Sequence, residues 1–104
     1  MEVKFFHRDV KAFLDNLDRV TNAKAVQLLE FLAEEGKCLP MPFGKKLGKD
    51  LYELRVQSLQ NVRIFYTFYG GQIFLLHAIF KKEQKLKPKD LNKAKHRLTE
   101  LHNL

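Results

Sequence analysis

The chain has 104 residues and 12.3 kDa of mass, with nineteen Lys and Arg against twelve Asp and Glu, a formal net charge of +7. That length holds one domain, residues 1–104, and one core, which excludes a cofactor domain beside a substrate domain. With 45% hydrophobic residues and nine Phe it is too apolar for a disordered chain, yet no apolar stretch approaches the ~20 residues of a membrane helix.

The opening MEVKFFHRDV has no apolar h-region, so no secretory signal is expected. Val3–Phe6 reads as a short strand. Val10, Phe13, Leu14 and Leu17 follow at i, i+3, i+4, i+7, the stripe of an amphipathic helix. Ala25, Leu28, Leu29 and Leu32 repeat the spacing, with Asn22 as the expected cap and Gly36 as the terminator. A break near Asp18–Thr21 makes the two helices a hairpin whose acidic outer face is solvated. The Pro/Gly-rich run from Leu39 through Lys49 reads as loop, since proline cannot donate to a ladder. Leu51–Gln57, Val62–Tyr69 and Gln72–Phe80 are rich in β-branched and aromatic residues and read as a three-strand meander. Gly70-Gly71 marks a tight hairpin between the last two. The third strand is apolar on both sides and is expected to be interior. Pro88 opens a final helix with Leu91, Ala94, Leu98 and Leu101 as its inner stripe. The predicted order is β-α-α-β-β-β-α. This is an α+β domain in which an N-terminal strand and helical hairpin pack on a mostly antiparallel sheet.

Charge is uneven along this order. Residues 1–35 carry five basic and seven acidic residues, while 36–104 carry fourteen basic and five acidic. Such asymmetry points to a negatively charged partner. The single cysteine, Cys38, cannot form an internal disulfide and fits a reducing cytosol. No C-x-x-C, H-E-x-x-H or glycine-rich phosphate loop is present, and acidic residues are sparse beyond the first helices. No metal and no cofactor are therefore expected.

The candidate site is the basic set on or beside the strands: Lys45, Lys46, Lys49, Arg55, Arg63, His77, Lys81, Lys82 and Lys85. Alternation places Glu53, Arg55 and Gln57 on one face of their strand, expected to be open, and Tyr52, Leu54 and Val56 on the face toward the helices. Arg63 interrupts a very apolar strand and must be wet or paired. An ion pair with Glu53 is the plain alternative for Arg55, and a hydrogen-bonded core position is the plain alternative for His77. With a strict two-residue hairpin loop, Ile64 opposes His77, and Arg63 and His77 face opposite ways; a bulge reverses this. Chemically, a ribonuclease can use the ribose 2′-OH as its nucleophile. It then needs Arg or Lys to stabilise phosphorane charge and Lys, His or Glu to move protons.

The runs Leu51-Tyr52-Glu53-Leu54-Arg55, Val62-Arg63-Ile64-Phe65-Tyr66 and Leu76-His77-Ala78-Ile79-Phe80-Lys81-Lys82, followed by Pro88, resemble the phage-derived HigB-like (host-killing) family of the RelE/ParE toxin superfamily. The resemblance covers roughly residues 3–100. It implies a RelE-like fold and a cytoplasmic type II toxin that cleaves ribosome-bound mRNA without metal. The implied partners are the ribosome, mRNA and a cognate antitoxin carrying a helix-turn-helix domain, as in HigA-like proteins. By the same resemblance, Arg63 matches the arginine near the scissile phosphate, Lys81 and Lys82 the basic position after the last strand, and Lys46 and Lys49 the lysines at the mouth of the site. His77, Glu53 and Arg55 match positions of the HigB-like group. The chain departs from RelE-like enzymes in having no Tyr after Tyr69, and only His96 and His102 lie near the C-terminus. Proton transfer then falls to Lys82 or Lys85, with His77 and Glu53 as further candidates. Two other readings share the fold or the charge: a non-catalytic ParE-like toxin acting on gyrase, and a plain nucleic-acid-binding domain.

Overall fold

The expected α+β order is present with one strand more. A computed structural model describes all 104 residues as β1 (Glu2–Phe5), α1 (Arg8–Asp15), α2 (Arg19–Glu35), β2 (Gly44–Gly48), β3 (Leu51–Gln57), β4 (Asn61–Tyr69), β5 (Gln72–Phe80) and α3 (Pro88–His102). The strands form one sheet in the order β1-β5-β4-β3-β2, with β1 parallel to β5 and every other pair antiparallel. As its apolar sequence requires, β5 is interior.

Strand β2 replaces the expected loop at Lys45 and Lys46. It is drawn onto β3 by the Arg55 amide, which donates to the Phe43 carbonyl at 2.8 Å, and by the Lys45–Glu53 pairing. Only glycine fits at its first position, because a Cβ on Gly44 would lie 2.5 Å from the Leu39 carbonyl oxygen. A short, lysine-bearing edge strand has no apolar alternation to betray it; edges are kept that way to resist pairing with other chains.

The cap of α2 also differs from expectation. It is Asp18, whose carboxylate accepts from the amides of Val20 and Thr21 at 3.0 and 3.3 Å and from the Thr21 hydroxyl at 2.8 Å. The Asn22 amide instead donates to the Leu14 carbonyl at 2.8 Å and closes the end of α1. Gly36 ends α2 at a φ of 66°, as expected.

Helices cover both faces of the sheet. Val10, Leu14, Leu28, Leu29 and Leu32 of the hairpin pack on Leu54, Val56, Ile64, Tyr66, Ile73 and Leu75. On the opposite face, Ala94 and Leu101 of α3 pack on Leu51, Phe65 and Leu76. The face that alternation assigned to Glu53 and Arg55 is thus not open. Helix α3 spans part of it, and Glu53 and Arg63 are buried at 1% and 3% exposure.

The relative placement of Arg63 and His77 is set by a bulge. The Gly70-Gly71 loop is two residues long, both with positive φ, and pairs Tyr69 with Gln72. The register shifts between Phe65 and Tyr66, so Tyr66 pairs with Leu75 but Phe65 with His77. The extra residue is Leu76. Arg63, Phe65 and His77 therefore share the face toward α3.

Candidate functional site

Where β1 ends, the outer edge of β5 loses its neighbouring strand. A cleft of about 300 Å³ opens there between Phe13 of α1, the end of β5, the segment 81–87 and the first turn of α3. Arg63, Lys81, Lys82 and Lys85 of the expected basic set line it. Lys87 and Lys89 join them.

Arg63 reaches the cleft from a buried strand position because it is held on two sides. Its Nε lies 3.2 Å from Glu53 Oε1, and its Nη2 donates to the Gln84 carbonyl at 2.9 Å. The same Glu53 oxygen accepts from Arg55 Nε at 2.9 Å. One buried carboxylate oxygen thus balances two guanidinium groups, Arg55 through a hydrogen bond and Arg63 through a charge contact in which its buried Nε makes no hydrogen bond. The ion pair weighed for Arg55 is present. Glu53 and Arg55 lie behind Arg63 and do not line the cleft.

His77 is a hydrogen-bonded core residue. Its ring stacks on Phe65 with centroids 5.7 Å apart, and Nε2 lies 3.1 Å from Asp90 Oδ1 in the first turn of α3. Burial disfavours the imidazolium and pulls its pKa below the usual histidine value; the Asp90 contact opposes that shift without overcoming it. Asp90, not His77, faces the cleft.

The lysines of the N-terminal half of the sheet form a separate patch. Lys45 and Lys46 are exposed on β2, Lys49 is exposed in the turn that follows, and Lys46 Nζ sits 5.9 Å above the Tyr52 ring. Strand β2 is three strand spacings from β5, about 14 Å. The structure thus brings together four of the ten residues singled out from the sequence and sets the other six behind or apart.

Two features of the site had no sequence signal. Arg97, outside the inner stripe expected of α3, is buried and forks onto Asp9 at 2.9 and 2.6 Å while donating to the Leu76 carbonyl at 2.8 Å. It joins α3, the start of α1 and the bulge residue, and its hydrogen bonds hold the Asp9 carboxyl below the usual range. The residues involved lie 88 apart in the chain, beyond any local pattern. The second feature is the Phe13–Phe80 pair, 4.7 Å between centroids, which forms an apolar wall of the cleft.

No group of three or more His, Cys, Asp or Glu side chains comes together, and no helix is long and apolar enough to cross a membrane. Residues 12–99 match a family model described as phage derived protein Gp49-like (DUF891). A search of curated proteins gives no match.

Proposed function

The chain belongs to the phage-derived Gp49-like family, and from that premise we propose that it is the toxin of a toxin–antitoxin pair, acting as a ribosome-dependent mRNA endoribonuclease of the HigB-like kind. The observation that carries the reading is the fixed guanidinium of Arg63 in a cleft where Lys81, Lys82 and Lys85 converge. The family membership and the five-strand α+β sheet agree with a toxin of RelE type.

In the proposed reaction, the ribose 2′-oxygen attacks the adjacent phosphorus and the bond to the 5′-oxygen breaks. A base takes the 2′ proton, and an acid returns one to the departing 5′-oxygen. The products are a 2′,3′-cyclic phosphate and a 5′-hydroxyl. Arg63 stabilises the charge that builds on the phosphorane oxygens, a role that needs no movement because Glu53 and Gln84 already aim it. Lys82 and Lys85 are the proton-transfer candidates within the cleft. Glu53 and Arg55 serve as positioning residues, and His77 fixes the start of α3. Lys45, Lys46 and Lys49 extend the basic surface to ribosomal RNA. A cognate antitoxin that covers this surface would be the inhibitor.

Arg63→Ala tests the reading. It removes one guanidinium yet leaves Glu53 paired with Arg55, so the fold survives. The expected result is a loss of about 10²–10³ in cleavage, the effect of deleting one preorganised charge donor. The measurement is mapping of transcript 5′ ends and growth after induction, with circular dichroism to verify folding. Undiminished cleavage and arrest by a folded Arg63→Ala protein would sink the assignment. Induction of DNA-damage signalling by the parent without transcript cleavage would favour the gyrase-directed alternative instead.

A further inference from the structure

Part of the cleft lining is aromatic. Phe80 is the last residue of β5 and remains 41% exposed, although its pairing partner Val62 is buried. Behind it lies Phe13, half-buried and tilted 48° to it, carried in the α1 stripe between the buried Val10 and Leu14. Phe80 thus packs against a second ring, and both line the cleft. Because β1 ends at Phe5, no strand covers the sheet edge beside it.

The charge around this ring is poorly balanced. Of the two acidic residues in the cleft, Glu83 lies 3.8 Å from Lys87, and Asp90 lies 3.1 Å from His77. Lys81, Lys82, Lys85 and Lys89 have no carboxylate within 4.0 Å. Like charges gathered at one cleft repel until an anion enters. A bare anion would satisfy the cations and leave Phe80 in water. A ligand with both an anionic group and a flat π-face satisfies both. A nucleotide is that ligand: a base stacks on an aromatic ring while its phosphate meets the basic side. The volume, about 300 Å³, lies at the lower end of small-molecule sites and is ample for one unpaired base.

We propose that Phe80, backed by Phe13, is a stacking platform for one unpaired base. The cleft then selects single-stranded RNA with a base turned out of its stack, rather than a duplex or an isolated phosphate. This rests on the reading of the cleft as an RNA site and adds the subsite that engages the base. Stacking of this kind is tolerant of base identity, because every base presents a π-face.

The chain has no tryptophan, so Phe80→Trp introduces a sole indole reporter. Three probes are titrated: a short 2′-O-methyl oligoribonucleotide, which lacks the nucleophilic hydroxyl; its fully abasic counterpart; and inorganic pyrophosphate. The expected result is quenching of the indole by the base-bearing oligonucleotide and not by pyrophosphate. Phe80→Ala and Phe80→Leu are expected to weaken the base-bearing oligonucleotide about five- to a hundredfold, the range for loss of one stacked base, and to leave the abasic one unchanged. The leucine keeps an apolar contact for Phe13, which separates lost stacking from lost packing. If both variants bind the base-bearing and abasic strands as the parent does, the platform is wrong and the RNA site stands. If the parent binds no probe, the RNA site falls and takes the platform with it.

Discussion

Glu53 carries more of the site than its position outside the cleft suggests. It is almost fully buried and its single oxygen Oε1 faces two arginines. Removing it leaves Arg63, itself buried, with only the Gln84 carbonyl as partner. Breaking a buried ionic cluster by deleting its shared charge costs about 3–5 kcal/mol. Glu53→Ala is therefore expected to lose stability of that order in urea unfolding, and Glu53→Gln less, since the amide still accepts. Arg63→Ala is expected to be milder for stability and far worse for cleavage. On the proposed function one residue holds and the other acts, and paired measurement of unfolding and cleavage tests that division. The sequence marked Arg63 because a charge within an apolar strand needs a reason, and Glu53 through the resemblance to the HigB-like group. It did not reveal which role each takes, since that depends on Arg63 pairing across the sheet with Ile79 and reaching Gln84 beyond it.

At the scale of elements, α3 is held to the rest by two titratable ties, His77–Asp90 and Arg97–Asp9. The His77 imidazole takes a proton less readily in the folded chain than in the unfolded one, where its pKa is about 6.5. The unfolded state binds more protons in that window, so stability falls as pH drops through about 6.5. Asp9 acts further down. Its carboxyl is depressed in the folded state, so its contribution is full above the unfolded value of about 3.9 and is lost as pH falls through the lower folded value. Denaturant midpoints measured from pH 8 to pH 3 should show both declines. His77→Gln is expected to flatten the upper one and Asp9→Asn the lower. The helices, the meander and the glycine hairpin were legible because their apolar spacing is local. Strand β2 was not, since Gly44–Gly48 draws its identity from Arg55 and Glu53 rather than from its own composition. The bulge at Leu76 was legible only as one of two registers, and the choice rests on packing against α3.

Across the whole molecule, the excess charge separates into two basic regions about three strand spacings apart, the cleft and the β2 edge. Binding of single-stranded polyanions should weaken with salt, with a slope of about −0.7 in log–log form per phosphate neutralised. Replacing Lys82 or Lys85 by Gln is expected to reduce that slope for probes of any length. Replacing Lys45 or Lys46 should reduce it only for probes long enough to cross the sheet, about 14 Å. Fluorescence anisotropy between low and moderate ionic strength reads both. A slope indifferent to the cleft lysines would show that the cleft does not contact the backbone.

The parallel pairing of β1 with β5 sets Glu2 beside Gln72, seventy positions away, and Asp9 meets Arg97 across a still longer span. Neither contact can form until most of the intervening chain has been gathered, and closing such loops costs entropy before any contact repays it. These two pairings raise the mean sequence separation of the fold's contacts, which slows folding relative to a domain built from local contacts alone. The speed of chain closure, as much as the strength of the finished fold, then decides how soon the complete sheet exists.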